Sequence, residues 1–369
     1  MNHEHYMSDA LTLARRGRGR TSPNPMVGAV IVRNGEVVGE GWHERCGGNH
    51  AERNALAAAG DKAAGATLYV TLEPCCHYGK TPPCTEAILE AGIRTVVIGA
   101  RDPNPLVDGG GIRILREHGV DVVQDVLRDA CDELNEVFFH YITQKTPYVV
   151  LKYAMTADGK TATRTGASKW ITGEASREHV HMSRSAYSAI MVGIGTVLDD
   201  DPLLTCRTPG GRNPIRVICD SRLKIPRDAK IVQTAGEIPT YIAAATEDRA
   251  RQEELEALGC HVIYAPDSEG RVDLTALMAT LHGKGIDSVY LEGGGTLAAS
   301  ALTAGIVKRV HVYIAPKLFG GVDAPSPIGG SGVALPSEAQ LLKKPRIEML
   351  GDDLFIDYEM RCACVYGNH

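Results

Sequence analysis

Two short stretches hold the residues best suited to chemistry: His50-Ala51-Glu52, and the run Glu73-Pro74-Cys75-Cys76-His77-Tyr78-Gly79-Lys80-Thr81-Pro82-Pro83-Cys84. One imidazole and two separated thiolates, from His50, Cys75 and Cys84, can hold a zinc ion and leave its fourth position to water. Zinc lowers the pKa of such a water toward neutrality. Glu52, two residues from the histidine, can take the proton and pass it to a leaving amine. The reaction class is hydrolysis of an amine to a carbonyl and ammonia. A structural zinc site is the competing reading, since Cys46, Cys76 and His77 are available as a fourth ligand. Glu52 separates the two readings, because a structural site has no need of a carboxylate there.

The zinc-deaminase signature is His-x-Glu followed by Pro-Cys-x-x-Cys. The chain matches the first part and the Pro-Cys start of the second, but Cys84 lies nine positions after Cys75. Cys75 is preferred to Cys76 as the ligand because it directly follows the proline, and His77 reads as a loop residue.

These residues must be positioned by an α/β framework. Met7, Ala10, Leu11 and Ala14 recur at helical spacing. Residues 27–32 read as a buried strand, Asn34-Gly35 as a hairpin turn and 36–41 as the returning strand. A helix is expected over 51–59, ended by Gly60, then a strand over 66–72 stopped by Pro74. A helix over 84–91, a strand over 94–99, a helix over 112–117, a short strand over 120–123 and one long helix over 127–141 complete the first half. Alternating strands and helices argue for a sheet covered on both faces, with sites where strands meet helices.

At 369 residues the chain is too long for one ordinary core. The Gln144-Lys145-Thr146-Pro147 interruption puts the boundary near 146, giving domains 1–146 and 147–369. With 44% hydrophobic and 23% charged residues the chain is a packed protein, and a net charge of −6 gives no electrostatic footprint for nucleic acid. The sequence has no apolar run long enough to span a membrane and no signal peptide, so a cytoplasmic location is expected. Ten scattered cysteines read mostly as free thiols, and Cys362 and Cys364 as strand or tail residues.

The second half is another α/β series. Strands are expected over 148–153, 215–219, 240–244, 261–264, 287–291 and 309–314, and helices over 253–258, 274–281 and 297–304. Residues 185–192 lead into Gly193-Ile194-Gly195, and the end after about Gly320 is poorly marked. The run Glu292-Gly293-Gly294-Gly295-Thr296 between strand and helix lets backbone N–H groups approach a phosphate. Neither a P-loop nor the Gly-x-Gly-x-x-Gly fingerprint is present, so a Rossmann dehydrogenase is unsupported.

The long spacing and the loop from Glu73 to Cys84 resemble the deaminase half of the bifunctional riboflavin-biosynthesis deaminase/reductase family. Four ordered pieces resemble its reductase half: Lys152 to Lys160, Ser168-Lys169-Trp170-Ile171-Thr172, Gly195 to Pro202, and Glu292 to Thr296. The resemblance implies a cytidine-deaminase-like α/β/α domain followed by a dihydrofolate-reductase-like α/β domain, with Zn2+ and NADPH as cofactors. It implies phosphorylated pyrimidine substrates, no nucleic acid or membrane partner, and a homo-oligomer of open stoichiometry. In the deaminase it implies substrate contacts at Asn24, His43, Lys80 and Asn104, of which Lys80 would meet a phosphate. In the reductase it implies substrate contacts at Ser168, Arg184, Leu204, Arg207 and Glu292, with Arg184 and Arg207 as phosphate holders. NADPH contacts are implied at Ala154, Trp170, Thr196, Asp200, Ser221, Gly294, Gly295, Thr296, Leu297, Ala298, Ala299 and Ser300. Lys152 and Glu292 are the candidates for proton donor in the reduction. A nucleoside or RNA deaminase is the nearest alternative enzyme, but aromatics are only 5% and the charge is negative, against a base-stacking basic groove.

Overall fold

The computed structural model describes residues 2–78 and 82–361. The chain divides into two compact units, Met1–Lys145 and Thr146–His369. Among the described residues no helix is long and apolar enough to cross a membrane.

The first unit runs α1 (His3–Ala14), β1 (Gly28–Arg33), β2 (Glu36–Trp42), α2 (Ala51–Ala59), β3 (Thr67–Leu72), α3 (Cys84–Glu90), β4 (Thr95–Ala100), α4 (Gly110–Glu117), β5 (Asp121–Val123), α5 (Arg128–Leu134) and α6 (Glu136–Gln144). The sheet order is β2-β1-β3-β4-β5, with β1 antiparallel to both neighbours and β3, β4 and β5 parallel. Alternation along the strands splits the core. Ala29, Ile31, Leu68, Val70, Val96 and Ile98 pack with α2, α3 and α4, whereas Val30, Val32, Tyr69 and Val97 pack with α1 and Cys131 of α5.

The helix that carries the first motif is seated by close approach. Its buried apolar face is Ala51, Ala55 and Ala59, which offers little area. A Cβ on Gly39 would lie 2.4 Å from the Ala55 carbonyl oxygen, and one on Gly41 2.4 Å from the Ala55 nitrogen. Only glycines in β2 let the helix backbone come this near, which fixes where α2 begins.

The long helix expected over 127–141 is broken instead. Asn135 (φ −113°, ψ 19°) separates α5 from α6, and its side chain bonds the backbone of Met26. A distant loop thus competes with the helix for this residue, which local periodicity does not register.

The second unit runs β6 (Tyr148–Thr156), α7 (Glu174–Ala186), β7 (Ala189–Gly193), α8 (Ile194–Asp200), β8 (Ile215–Cys219), α9 (Lys230–Gln233), β9 (Thr240–Ala244), α10 (Arg249–Ala257), β10 (His261–Tyr264), α11 (Leu274–Gly283), β11 (Ser288–Leu291), α12 (Gly295–Thr303), β12 (Val307–Ala315), β13 (Leu342–Leu350) and β14 (Asp353–Met360). The nine strands are ordered β10-β9-β8-β7-β11-β6-β12-β14-β13. Those from β10 through β12 are parallel, and β14 and β13 close the edge antiparallel. Val149, Leu151, Met191 and Val289 pack with α11 and α12 on one face, and Ile190, Val192, Ile218 and Ile242 with α8, α9 and α10 on the other.

Several elements escaped the sequence reading, among them the short helices α8 and α9. Helix α7 buries Ser176, Val180 and Ser183, so it has no apolar stripe. Strand β13 is exposed for most of its length and carries Lys343, Lys344 and Pro345, as edge strands do. Its partner β14 shared the unmarked end, beyond which Cys362 and Cys364 lie outside the described residues.

Candidate functional site

In the first unit the metal set is assembled by two helix starts and one strand end. His50 precedes α2 in extended backbone, Cys84 is the first residue of α3, and Cys75 follows β3. His50 Nδ1 lies 3.5 Å from Cys75 Sγ and 3.3 Å from Cys84 Sγ, and the three donor atoms lie within 4.8 Å of one another. Cys84 N–H donates to Cys75 Sγ at 3.3 Å, and Thr85 N–H to the Cys75 carbonyl at 3.2 Å, so the first turn of α3 holds both sulfur positions. The side-chain hydrogen bond with Cys84, with His50 behind it, draws the Cys75 thiol down to about 4. A nitrogen and two sulfurs in this arrangement suit zinc with one position open.

Cys76 is directed elsewhere. Its thiol donates to the Leu106 carbonyl at 3.6 Å, outside the cluster. Glu73, read only as part of the motif, accepts from Gly109 N–H at 3.1 Å and Ile112 N–H at 3.2 Å. It thereby docks the start of α4 beside the cysteine loop. A Cβ on Gly111 would lie 2.1 Å from the Pro74 carbonyl oxygen, so this docking also needs a glycine.

A cavity of about 290 Å³ opens over the cluster and is lined by His50, Glu52, Cys75, Asn24, His43 and Asn104, among others. Glu52 is only 3% exposed. Burial, then the charge of Cys75, raises its carboxyl pKa, as a group that must both take and give a proton requires. His43 Nδ1 lies 2.9 Å from the Asn49 carbonyl, so that nitrogen donates, and Nε2 accepts from Asn24 Nδ2 at 3.2 Å. Burial lowers the His43 pKa, in keeping with an Nε2 that accepts. Lys80 lies outside the described residues.

Asp102 was missed by sequence reading. It lines the same cavity, accepts from Asn104 N–H at 2.9 Å, and is pushed up by burial to about 7. Its signal was positional, two residues beyond the carboxyl end of a parallel strand. Phe138 of α6 and His77 also line the cavity.

In the second unit the implied residues gather at the carboxyl ends of four consecutive strands, β8-β7-β11-β6. Ser221 follows β8, Thr196 and Asp200 lie on α8 after β7, Glu292 and residues 294–300 follow β11, and Ala154 lies on β6. Gly294 caps α12 in extended backbone with open space where a side chain would be. Ser221 Oγ already accepts from Val272 N–H at 3.2 Å. Trp170 is exposed, with the Arg177 guanidinium 4.9 Å from its ring centre, and neighbouring Lys169 pairs with Asp200 at 2.9 Å.

Glu292 is the electrostatic centre of this region. Arg184 Nε donates to Oε1 at 2.6 Å and Nη2 to Oε2 at 3.1 Å, and Lys152 Nζ lies 3.5 Å from Oε2. Burial alone would raise the carboxyl, but Arg184 and then Lys152 outweigh it and bring it to about 2. Arg184 is therefore not a free cation, and its Nη1 also donates to the Thr205 carbonyl at 3.0 Å. Arg207 is exposed, and its N–H donates to His181 Nδ1 at 3.3 Å. Leu204 is buried with φ +54°, and Ser168 lies in the loop before Lys169.

Comparison with known proteins bears on both units. Residues 1–100 match the family model of the cytidine and deoxycytidylate deaminase zinc-binding region, and residues 147–356 that of the RibD C-terminal domain. The chain is 53% identical over 353 residues to riboflavin biosynthesis protein RibD of Actinobacillus pleuropneumoniae, covering 96% of this chain and 94% of that protein. It is 41% identical to RibD of Escherichia coli, covering 96% and 98%. The solved structure of Acinetobacter baumannii RibD, form 1, superposes with a TM-score of 0.88 at 36% identity over 97% of this chain and 99% of that one. A Thermotoga maritima diaminohydroxyphosphoribosylaminopyrimidine deaminase/5-amino-6-(5-phosphoribosylamino)uracil reductase gives 0.86 at 37%, again over 97% and 99%. The chain belongs to the RibD family of riboflavin-biosynthesis enzymes, bifunctional proteins that join a zinc-dependent deaminase to an NADPH-dependent reductase.

Proposed function

We propose that Met1–Lys145 deaminates 2,5-diamino-6-ribosylamino-4(3H)-pyrimidinone 5′-phosphate and that Thr146–His369 reduces the resulting 5-amino-6-(5-phosphoribosylamino)uracil. The observation that carries the first step is the convergence of His50 Nδ1, Cys75 Sγ and Cys84 Sγ beside buried Glu52 at one cavity. Those three side chains would hold zinc, which supplies Lewis acidity and makes a water nucleophilic near neutral pH. The water oxygen bonds to the amine-bearing ring carbon while Glu52 carries the water's two protons, one to the adjacent ring nitrogen and one to the amino nitrogen; the C–N bond then breaks, ammonia leaves and the ring carbon keeps a carbonyl. Asn24, with His43 behind it, and Asn104 orient the ring. Lys80 meets the phosphate.

In the second step NADPH supplies the hydride. Residues 294–300 with Thr196, Asp200, Ser221, Ala154 and Trp170 hold the cofactor, and Ser168, Leu204 and Arg207 the substrate. The ribosyl carbon gains hydride, and its ring oxygen gains a proton as the C–O bond opens. Lys152 is the carrier of that proton rather than Glu292, which Arg184 and Lys152 hold ionised and so without a proton to give. Glu292 and Arg184 fix its position.

Replacing Glu52 with Gln tests the first step: ammonia release should fall roughly 10²–10⁴-fold with zinc content unchanged. Full ammonia release with zinc bound would remove Glu52 from the reaction. Self-association is also part of the proposal, supported by edge strand β13 with exposed Leu342, Ile347 and Met349. Light scattering should give a mass above that of one chain, and a monomer mass at micromolar concentration would contradict it.

A further inference from the structure

The break between α5 and α6 is tied to the deaminase cavity. Asn135 is 2% exposed, and its backbone serves both helices: its N–H donates to the Asp132 carbonyl at 3.2 Å and its carbonyl accepts from Phe139 N–H at 2.9 Å. Its side chain caps neither helix. Oδ1 accepts from Met26 N–H at 2.8 Å, and Nδ2 donates to the Met26 carbonyl at 3.0 Å, across 109 positions of sequence. The amide thus pairs with one residue's N–H and C=O as a neighbouring strand would.

Met26 ends the loop that carries Asn24. On one side of that loop the next carbonyl, Val27, accepts from His43 N–H at 2.9 Å, and the His43 ring bonds the Asn24 amide at 3.2 Å. At its start Asn24 N–H donates to the Thr21 carbonyl at 2.8 Å. Asn135 supplies a further hold, directly after the residues that line the cavity. The break also places Phe138, three residues on, against the same cavity.

We propose that Asn135 is a positioning residue of the deaminase: by clamping both backbone groups of Met26 it fixes the direction in which Asn24 presents its amide to the bound pyrimidine nucleotide. This rests on the reading of the cavity as the deaminase substrate site. The bonds that bring His50, Cys75 and Cys84 together do not involve Asn135. Its loss therefore loosens substrate binding and leaves the proton-transfer machinery in place. An error of about 1 Å in such a group can cost up to ~100-fold. The expected signature is a KM raised roughly 10- to 100-fold with kcat little changed.

The test uses the full-length protein, with N135A, N135D, N24A and the double variant N24A/N135A. N135D keeps the Met26 N–H bond and loses the other, and it carries the test should N135A fail to fold. Zinc content and reductase turnover on the same samples report that both units are intact. If Asn135 acts through Asn24, N135A and N135D raise the deaminase KM, and the double variant is no worse than N24A. A normal KM in both Asn135 variants, with N24A impaired, overturns the proposal alone. Loss of zinc and kcat at unchanged KM makes the residue merely structural and also overturns it. A normal KM in N24A removes Asn24 from substrate binding, and the proposal falls with that reading.

Discussion

Glu52 and Glu292 are both buried carboxylates beside proposed reaction centres, and their surroundings push them in opposite directions. Among the described residues no cation is bonded to Glu52, and burial and the Cys75 charge raise its pKa and ready it to exchange a proton. Glu292 is gripped by Arg184 and Lys152 and stays ionised down to about 2. The first environment suits a carrier of protons. The second suits a fixed charge that orders its partners.

The contrast can be broken by neutralising each carboxylate in turn. Glu292→Gln leaves two half-buried cations without a counter-charge and should destabilise the protein by about 3 kcal/mol. Glu52→Gln removes a carboxylate already disfavoured in its site and should cost about 1 kcal/mol or less. Denaturant unfolding of the two variants decides it, and equal losses would erase the distinction.

A smaller effect sharpens the same comparison. The depressed pKa of Glu292 contributes stability that is complete above its unfolded value of 4.5 and is lost as pH falls toward about 2. A shift of that size corresponds to about 3 kcal/mol. Glu52, shifted upward, has the reverse dependence, since its folded site favours the protonated form. Acid titration followed by local hydrogen exchange should therefore open the surroundings of Glu292 first, between about pH 4.5 and 2. Simultaneous opening of both regions would count against the account.

The two regions also differ in how far the sequence disclosed them. His50, Glu52, Cys75 and Cys84 lie close together in two motifs, and the chemistry of a nitrogen, two sulfurs and a carboxylate is specific enough to be read directly. The same holds for the glycine-ended helix α2 and the Asn34-Gly35 turn, where local residues decide local structure. In the second unit the proposed contacts come one at a time from the ends of different strands, and only the resemblance joined them. The pairing of Arg184 with Glu292 was not legible, because the two lie 108 positions apart. Asn135 read as helix interior because its partner Met26 is equally remote. Helix α7 and strand β13 were invisible for a different reason, since one buries serines and the other buries almost nothing. Long-range polar pairing and edge exposure both leave no periodic trace.

The most direct test puts both reactions on one sample. Purified Glu52→Gln protein, with zinc measured, is given the diamino substrate and then, separately, the deaminated intermediate with NADPH. Separate chemistries in Met1–Lys145 and Thr146–His369 predict bound zinc, ammonia release near background and NADPH oxidation at the unmodified rate. Ammonia release at the unmodified rate, or loss of NADPH oxidation from a folded protein, would contradict it.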